Sequence, residues 1–221
     1  MCGRFNLLLT NEQIAAHFGI TNAPEVTPRY NIAPTHDVLA IVPVDTGERA
    51  AVFFRWGLIP SWSKKIQIGN RLINARAETA AEKPTFRSAF RKRRCLIPAT
   101  GFYEWQKQNG YKQPYHVHLD NDEPFCFAGL WEHWEGSGIS IQSCTILTTD
   151  ANDLMAPIHD RMPVILPADA YAAWLDHAVT DPARLKSLWQ PCSMEHLVAE
   201  RISTRVNNPA NDDPLCIKPI R

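Results

Sequence analysis

Proline and glycine interrupt this chain so often that long helices are excluded. Seventeen prolines and ten glycines are spread over 221 residues, and proline breaks helix interiors and is confined to the edges of sheets. Short apolar runs lie between these breaks, a pattern typical of an antiparallel sheet or open barrel. The central runs are 95–97, 101–106, 114–119, 125–131 and 139–147.

The remaining segments predict further short elements without a clean interdomain linker. Strands are expected at 37–44, 49–56, 196–200 and 214–218, and helices at 11–18, 85–93, 167–175 and 182–189. Asn11 and Thr85 are the expected N-caps of the first two helices, and a turn at 45–47 joins the first two strands. We therefore predict one α+β domain over residues 1–221, with a mainly antiparallel β-sheet or open barrel core flanked by short helices.

The composition is that of an ordinary water-soluble protein. The chain is 45% hydrophobic and 21% charged, as in typical globular domains. No apolar run approaches the ~20 residues of a membrane span, and the start lacks the pattern of a signal peptide. We expect a cytoplasmic protein without membrane contact.

The cysteines and histidines give little sign of a metal centre. Six cysteines are scattered without a C-x-x-C pair, so they match neither zinc nor redox motifs. His116 and His118 could share one face of a strand, but no third ligand lies nearby in sequence. We therefore expect no metal.

Charge is balanced overall but unevenly distributed. Lys, Arg, Asp and Glu sum to zero net charge, yet the segment 55–94 has eleven basic and two acidic residues, whereas 113–160 has eight acidic and no basic residues. The basic segment indicates a surface that attracts phosphates. The alternative is a solvated helix face, and for the run 91–94 the two interpretations stand equal.

The start of the chain, Met1-Cys2-Gly3-Arg4-Phe5, contains its most reactive candidate group. Removal of Met1 would leave Cys2 with an amine and a thiol on adjacent carbons. Such an aminothiol condenses with an aldehyde to a Schiff base and then closes to a thiazolidine, or attacks a carbonyl as an N-terminal nucleophile. The alternative is a cysteine at position 2 by chance.

Four further residues offer hydrogen bonding, anion binding or proton transfer. Asn74 can donate and accept hydrogen bonds, and Arg76 two residues later suits a phosphate. Glu104 lies in an aromatic, strand-like run, where burial would raise the pKa of a carboxyl group; the alternative is a solvent-facing side chain. His159 can exchange protons near neutral pH, or simply pair with Asp160.

A loop rich in tryptophan, Trp56-Gly57-Leu58-Ile59-Pro60-Ser61-Trp62, follows the second predicted strand. Exposed tryptophan rings give faces on which nucleic-acid bases stack. The alternative for Trp56 and Trp62 is packing in the core.

The order of these motifs resembles that of the SOS response-associated peptidase family, whose members process abasic sites in DNA. The resemblance spans nearly the whole chain. It rests on the N-terminal segment 1–5 and on 29–34, 56–62, 74–79, 101–105 and 158–163. It implies a single antiparallel core, a positive groove for single-stranded DNA, autocatalytic removal of Met1 as a thiol autopeptidase, and no metal or organic cofactor. It also implies a monomer that is associated with the nucleoid of a bacterium.

The resemblance implies a role for each candidate catalytic residue. The Cys2 amine attacks the aldehyde of the ring-opened abasic sugar, and its thiol closes a thiazolidine that crosslinks protein to DNA. Asn74 positions Cys2 or the sugar, Glu104 moves protons near the amine, and His159 protonates the sugar oxygen. Lyase-type chemistry stays open. The expected DNA-binding residues are Arg4, Pro34, Trp56, Trp62, Arg76 and Thr148.

Two other functions fit part of the pattern. An N-terminal nucleophile amidohydrolase or glutamine amidotransferase also begins Met-Cys-Gly, but it has no use for the tryptophan loop or the basic segment. A non-covalent reader of modified bases would bind reversibly and would be indifferent to Cys2→Ala.

Overall fold

The computed structural model of the chain describes residues 2–21, 23–44, 47–108, 110–136, 138–192 and 195–220. Within them the strands are β1 (Phe5–Leu7), β2 (Arg29–Ile32), β3 (Asp37–Pro43), β4 (Arg49–Trp56), β5 (Asn74–Arg76), β6 (Arg94–Ala99), β7 (Gly101–Gln108), β8 (Tyr111–Leu119), β9 (Phe125–Gly136), β10 (Ile139–Asp150), β11 (Arg161–Pro163), β12 (Ile165–Leu166) and β13 (Leu197–Arg201). The helices are α1 (Asn11–Phe18), α2 (Ala77–Ala80), α3 (Arg87–Lys92), α4 (Tyr171–Leu175) and α5 (Pro182–Leu185). Short 3-10 turns cover Ile66–Arg71, Ala168–Ala170, Lys186–Trp189, Thr204–Asn207 and Pro214–Cys216.

Five strands close into a barrel around the main hydrophobic core. β4, β3, β6, β9 and β10 pair antiparallel in that order, and β10 returns to pair with β4 in parallel. The predicted α+β class with a mainly antiparallel core is confirmed. The barrel is closed rather than open, because of the single parallel contact at Ser143 and Cys144.

A second sheet holds the start of the chain against the barrel. Its order is β13-β8-β7-β1-β2, and all of its pairings are antiparallel. β1 runs beside β7 with Phe5 opposite Phe102, and the Tyr103 N–H donates to the Arg4 carbonyl oxygen at 2.9 Å. This pairing fixes the N-terminal segment next to Glu104.

The helix ends differ from two of the expectations. Thr10, not Asn11, caps α1 through a capping box with Gln13, because its hydroxyl accepts from the Gln13 N–H while the Gln13 side chain accepts from the Thr10 N–H. Thr85 caps nothing, since α3 begins at Arg87 without a side-chain cap. In the part of the chain that the structure describes, no helix is long and apolar enough to cross a bilayer.

The segment expected to be a strand at 214–218 forms a 3-10 turn instead. The Asp213 carboxylate accepts from the Leu215 N–H at 3.0 Å, and Pro214, in the first turn, has no N–H to give to a ladder. The expected turn at 45–47 lies outside the described residues except for Gly47, whose φ of 82° is in the left-handed region.

In the basic run 91–94, the first two side chains face solvent and the last two bond to other parts of the protein. Arg94 is fully buried and donates to the carbonyl oxygens of Trp174 at 2.6 Å and Phe90 at 2.7 Å. Burial lowers the pKa of its guanidinium to about 10. Arg93 pairs with Glu132 at 2.7 Å. Only Arg91 and Lys92 of this run are exposed, so neither of the two interpretations left open for the run, a phosphate-attracting surface or a solvated helix face, describes Arg93 and Arg94.

Candidate active site

Cys2 lies at the floor of the candidate site, immediately before β1. Its side chain is fully buried, and its Sγ lies 3.7 Å from the Arg4 carbonyl oxygen. Asn74, on β5, donates from Nδ2 to the Cys2 carbonyl oxygen at 2.8 Å. Its Oδ1 is also buried and has no hydrogen-bond partner among the described residues. The amide thus holds Cys2 and keeps an acceptor available.

Glu104 supplies a negative charge beside this thiol. It lies on β7 with 3% of its surface exposed, and its Oε1 accepts from the Trp105 N–H at 3.3 Å. Burial and, second, the Glu104 charge raise the pKa of the Cys2 thiol to about 12. The sulfur is therefore protonated at neutral pH, and any chemistry at the thiol requires a base.

An open cleft of about 440 Å³ brings His159 to the same place. Its lining residues are Glu104, Trp105, Lys107, Lys112, His159 and Asn207. The loop before β11 carries His159, and Gln106 on β7 donates to the Pro157 carbonyl oxygen of that loop at 2.8 Å. The cleft is therefore built between β7 and the segment 151–160.

Two contacts at one ring nitrogen orient His159. Its Nδ1 lies 3.0 Å from the Arg161 backbone nitrogen and 2.8 Å from an Asp160 carboxylate oxygen. The first contact needs a lone pair on Nδ1 and the second needs a proton, so they belong to different protonation states. The Asp160 side chain is 86% exposed, so water competes for its carboxylate. In the neutral ring, Nδ1 therefore accepts from the Arg161 backbone N–H, and the ring proton lies on Nε2.

Arg161 braces this corner, a role that sequence reasoning missed. It is 8% exposed and makes a two-pronged ion pair with Glu78, with N–O distances of 2.7 and 2.9 Å. It also donates to the Thr148 carbonyl oxygen at 2.6 Å. These bonds hold α2 against β10 and so fix Asn74 and Arg76 relative to the histidine loop. The sequence did contain a sign of this role, because Arg161 lies in the motif 158–163, one of those on which the family resemblance rests.

The C-terminal segment 204–211 forms one wall of the cleft. Asn31 is fully buried and donates from Nδ2 to the carbonyl oxygens of Val206, Asn208 and Asn211. Asn207 accepts from the Trp105 indole N–H at 2.7 Å. The sequence showed only a polar, proline-rich loop here, because nothing local reveals its attachment to β2.

Arg4, expected to bind a phosphate, is already engaged by this wall. Its Nη1 donates to Asn31 Oδ1 at 2.8 Å and to the Val206 carbonyl oxygen at 2.7 Å. Its guanidinium also lies 5.9 Å from the centre of the Trp105 ring, and burial lowers its pKa. Arg4 therefore ties the N-terminal segment to the wall, and a phosphate contact stays a prediction.

Two of the expected DNA-binding side chains do not reach the surface. Trp56 is fully buried, packs edge-on against Phe5 with ring centres 5.3 Å apart, and donates its indole N–H to the Ile73 carbonyl oxygen at 2.9 Å. Thr148 is also fully buried within β10, and its hydroxyl donates to the Ala75 carbonyl oxygen at 3.5 Å. The predictions that a base stacks on Trp56 and that Thr148 bonds the DNA are wrong for this structure.

The other DNA-binding candidates face solvent to different degrees. Trp62 is 61% exposed and lines an open groove with Lys64, Lys65 and Arg71. Arg76 is exposed at the end of β5, two residues from Asn74, and Pro34 is half-buried. Their contacts with DNA stay predictions.

The closed barrel and the cysteine at position 2, beside a buried carboxylate, are the features by which this class of protein is defined. Comparison of the chain with known families identifies the class. The family model for SOS response associated peptidase (SRAP) matches residues 1–209. The chain belongs to this family, as the six motifs predicted.

Curated relatives and solved structures are similar over most of the chain. "Abasic site processing protein YoqW" of Bacillus subtilis (strain 168) is 43% identical over 99% of both chains. "Abasic site processing protein HMCES" of Xenopus tropicalis is 33% identical over 87% of this chain and 66% of that protein. A crystal structure of a Bacteroides thetaiotaomicron protein matches with a TM-score of 0.89 and 27% identity over 100% of both chains.

Proposed function

We propose that this chain processes abasic sites in single-stranded DNA by covalent capture through Cys2. The relatives named as abasic site processing proteins support the substrate. The observation that carries the chemistry is the Asn74 amide, which holds Cys2 beside Glu104 at the edge of a cleft that His159 also lines.

Covalent capture follows from the groups present. Met1, which lies outside the described residues, is first removed, and the Cys2 amine then adds to the C1′ aldehyde of the open sugar. Loss of one water gives a Schiff base, and the sulfur adds to the imine carbon while its proton passes to the nitrogen. The balance is one aldehyde and one aminothiol to one thiazolidine and one water.

Proton transfer in this scheme falls to Glu104 and His159. Because the thiol stays protonated at neutral pH, ring closure needs a nearby base, and the Glu104 carboxylate takes up the thiol proton and passes it to the nitrogen. The protonated ring of His159 gives a proton to the sugar oxygen as the sugar opens and returns to the neutral form. The unpartnered Asn74 Oδ1 accepts from the amine or from a sugar hydroxyl.

Release of Met1 uses the same sulfur. The Cys2 thiol attacks the Met1 carbonyl carbon, the acyl group moves from nitrogen to sulfur, and water hydrolyses the resulting thioester to free methionine. Glu104 again accepts the thiol proton. This autopeptidase step leaves the amine that the capture step requires.

Capture is tested by mixing the processed protein with a single-stranded oligonucleotide that carries one abasic site, followed by a denaturing gel. We expect a shifted band with this substrate and none with an intact oligonucleotide or with one whose abasic aldehyde is reduced to the alcohol. A band with the alcohol would contradict aldehyde chemistry. Ammonia release from glutamine would favour the amidotransferase. Reversible binding of the abasic and the intact oligonucleotide with equal affinity, without a shifted band, would favour the base reader.

Trp62→Ala is expected to weaken capture at limiting protein concentration by about tenfold, because one base loses a stacking platform that contributes about 1–3 kcal/mol. The matched control is Phe53→Ala, which removes another exposed ring (43% exposed against 61%) from a different surface. Titration of the abasic oligonucleotide at constant salt measures the effect. An equal loss in both variants would mean that stacking at Trp62 is not specific.

A further inference from the structure

The outer sheet brings two histidines and a glutamate together away from the cleft. His116 and His118 lie two residues apart on one face of β8, with ring centres 4.7 Å apart and planes within 16°. β13 runs alongside and places Glu200 opposite His116. One ligand atom from each of the three lies within 4.8 Å of the others. The sequence lacked a third ligand nearby because Glu200 follows His118 by 82 residues.

The hydrogen bonds of His118 fix which nitrogen carries its proton. Nδ1 lies 2.9 Å from the Leu119 carbonyl oxygen and 3.5 Å from an Asp122 carboxylate oxygen, both of which only accept. Nδ1 therefore carries a proton, and in the neutral ring Nε2 points its lone pair at Glu200 Oε2, 3.3 Å away. A lone pair facing a carboxylate is repulsive unless a proton or a metal cation lies between them. A metal-binding histidine characteristically donates its other N–H to a backbone carbonyl in this way.

His116 can supply the second nitrogen. Its Nε2 lies 3.2 Å from the Asn6 side-chain nitrogen, while the fully buried Asn6 Oδ1 has no partner in the described part of the chain. Turning the Asn6 amide over lets Oδ1 accept a proton from His116 Nε2, since amide orientation is fixed only by such bonds. Nδ1 of His116 then keeps its lone pair, as a metal ligand must.

We propose that His116, His118 and Glu200 bind a divalent transition-metal ion, with Zn²⁺ as the best fit. Two imidazoles and one carboxylate are a common donor set for zinc. Tetrahedral coordination at zinc distances separates ligand atoms by about 3.4 Å, which His118 and Glu200 already match at 3.3 Å. The side chains of His118 and Glu200 are 16% and 43% exposed, so the ion and a fourth ligand from water can enter.

The bound ion would clamp β13 to β8. β13 leads directly into the turn Thr204–Asn207, whose Asn207 lines the candidate active site. The ion would thus steady the cleft wall without entering the cleft, and its binding does not depend on the chemistry proposed for Cys2.

Titration of the full chain with Co²⁺, followed by Zn²⁺ competition, tests the site. We expect one equivalent of Co²⁺ with visible d–d absorption and no thiolate charge-transfer band. Saturating Zn²⁺ should raise the melting temperature by about 5 °C or more. His118→Gln and Glu200→Gln should each weaken binding at least tenfold while folding normally without metal, as judged by circular dichroism. These two positions are chosen because both reach solvent.

The matched control is His133→Gln, which removes another strand histidine, with its ring 2.7 Å from the Ser140 hydroxyl and 3.5 Å from Glu135. It should bind Co²⁺ like the unmodified chain. A thiolate charge-transfer band, unchanged affinity in both test variants, or no binding at all would overturn the proposal. The last result would mean that His118 is a charged imidazolium paired with Glu200 and Asp122.

Discussion

Cys2→Ala is expected to abolish stable capture of abasic-site DNA, with a loss of more than about a thousandfold in the crosslink on a denaturing gel. Because the variant lacks the sulfur that would release Met1, Met1 is removed from it by an added methionine aminopeptidase, and the free amine of residue 2 can then still form a Schiff base. It has no sulfur to close the thiazolidine, and an open Schiff base hydrolyses during denaturation. Borohydride added during the reaction should trap that Schiff base and restore a band, which separates the two steps.

Cys192→Ala is the matched control, because it removes a partly buried thiol outside the cleft and should crosslink normally. A stable adduct with Cys2→Ala in the absence of borohydride would rule out the thiazolidine. Equal non-covalent binding by both proteins, without any crosslink in the unmodified chain, would support the base reader instead.

Glu104→Gln is expected to slow crosslinking by about a hundredfold or more, the usual effect of removing a general acid–base group. The amide keeps the shape of the side chain but cannot take up the thiol proton. The rate of band formation at fixed DNA concentration measures this loss. Glu135→Gln, at an exposed acid on β9 (74% exposed side chain), should leave the rate unchanged.

The same substitution should shift thiol alkylation in the opposite direction. Burial is the largest cause of the high pKa of Cys2, and the Glu104 charge is the second. Removing the Glu104 charge therefore lowers the pKa of Cys2. At a given pH above neutrality a larger fraction is then thiolate, and alkylation of Cys2 in the 221-residue chain moves to lower pH. Faster alkylation together with slower crosslinking is the expected signature. Parallel changes in both rates would contradict the proton-transfer role.

Local sequence patterns predicted the class of the fold but not its closure. The alternating runs that became β7 to β10 are strong strand signals, since each pairs with a neighbour in sequence. Barrel closure depends on β4 meeting β10 in parallel, and no local pattern encodes a contact between strands that far apart. The cap of α1 was misplaced by one residue because Thr10 and Asn11 are both good N-caps, and only Gln13 decides between them.

The same limit explains which site residues were predicted. Cys2, Asn74, Glu104 and His159 were proposed from motif chemistry. The structure places Cys2 beside Asn74 and Glu104, and it places Glu104 and His159 in one cleft. Their roles stay predictions. Trp56 and Thr148 were misjudged because residue type does not tell which face of a barrel strand points inward.

The attachment of the wall 204–211 to Arg4 and Asn31 has a consequence for the order of folding. Val206 lies 202 residues from Arg4 and 175 residues from Asn31 along the chain. Contacts of such long sequence separation form late, because closing a long loop costs more conformational entropy than closing a short one. We therefore expect this wall to dock only after β2 and β7 have joined their sheet.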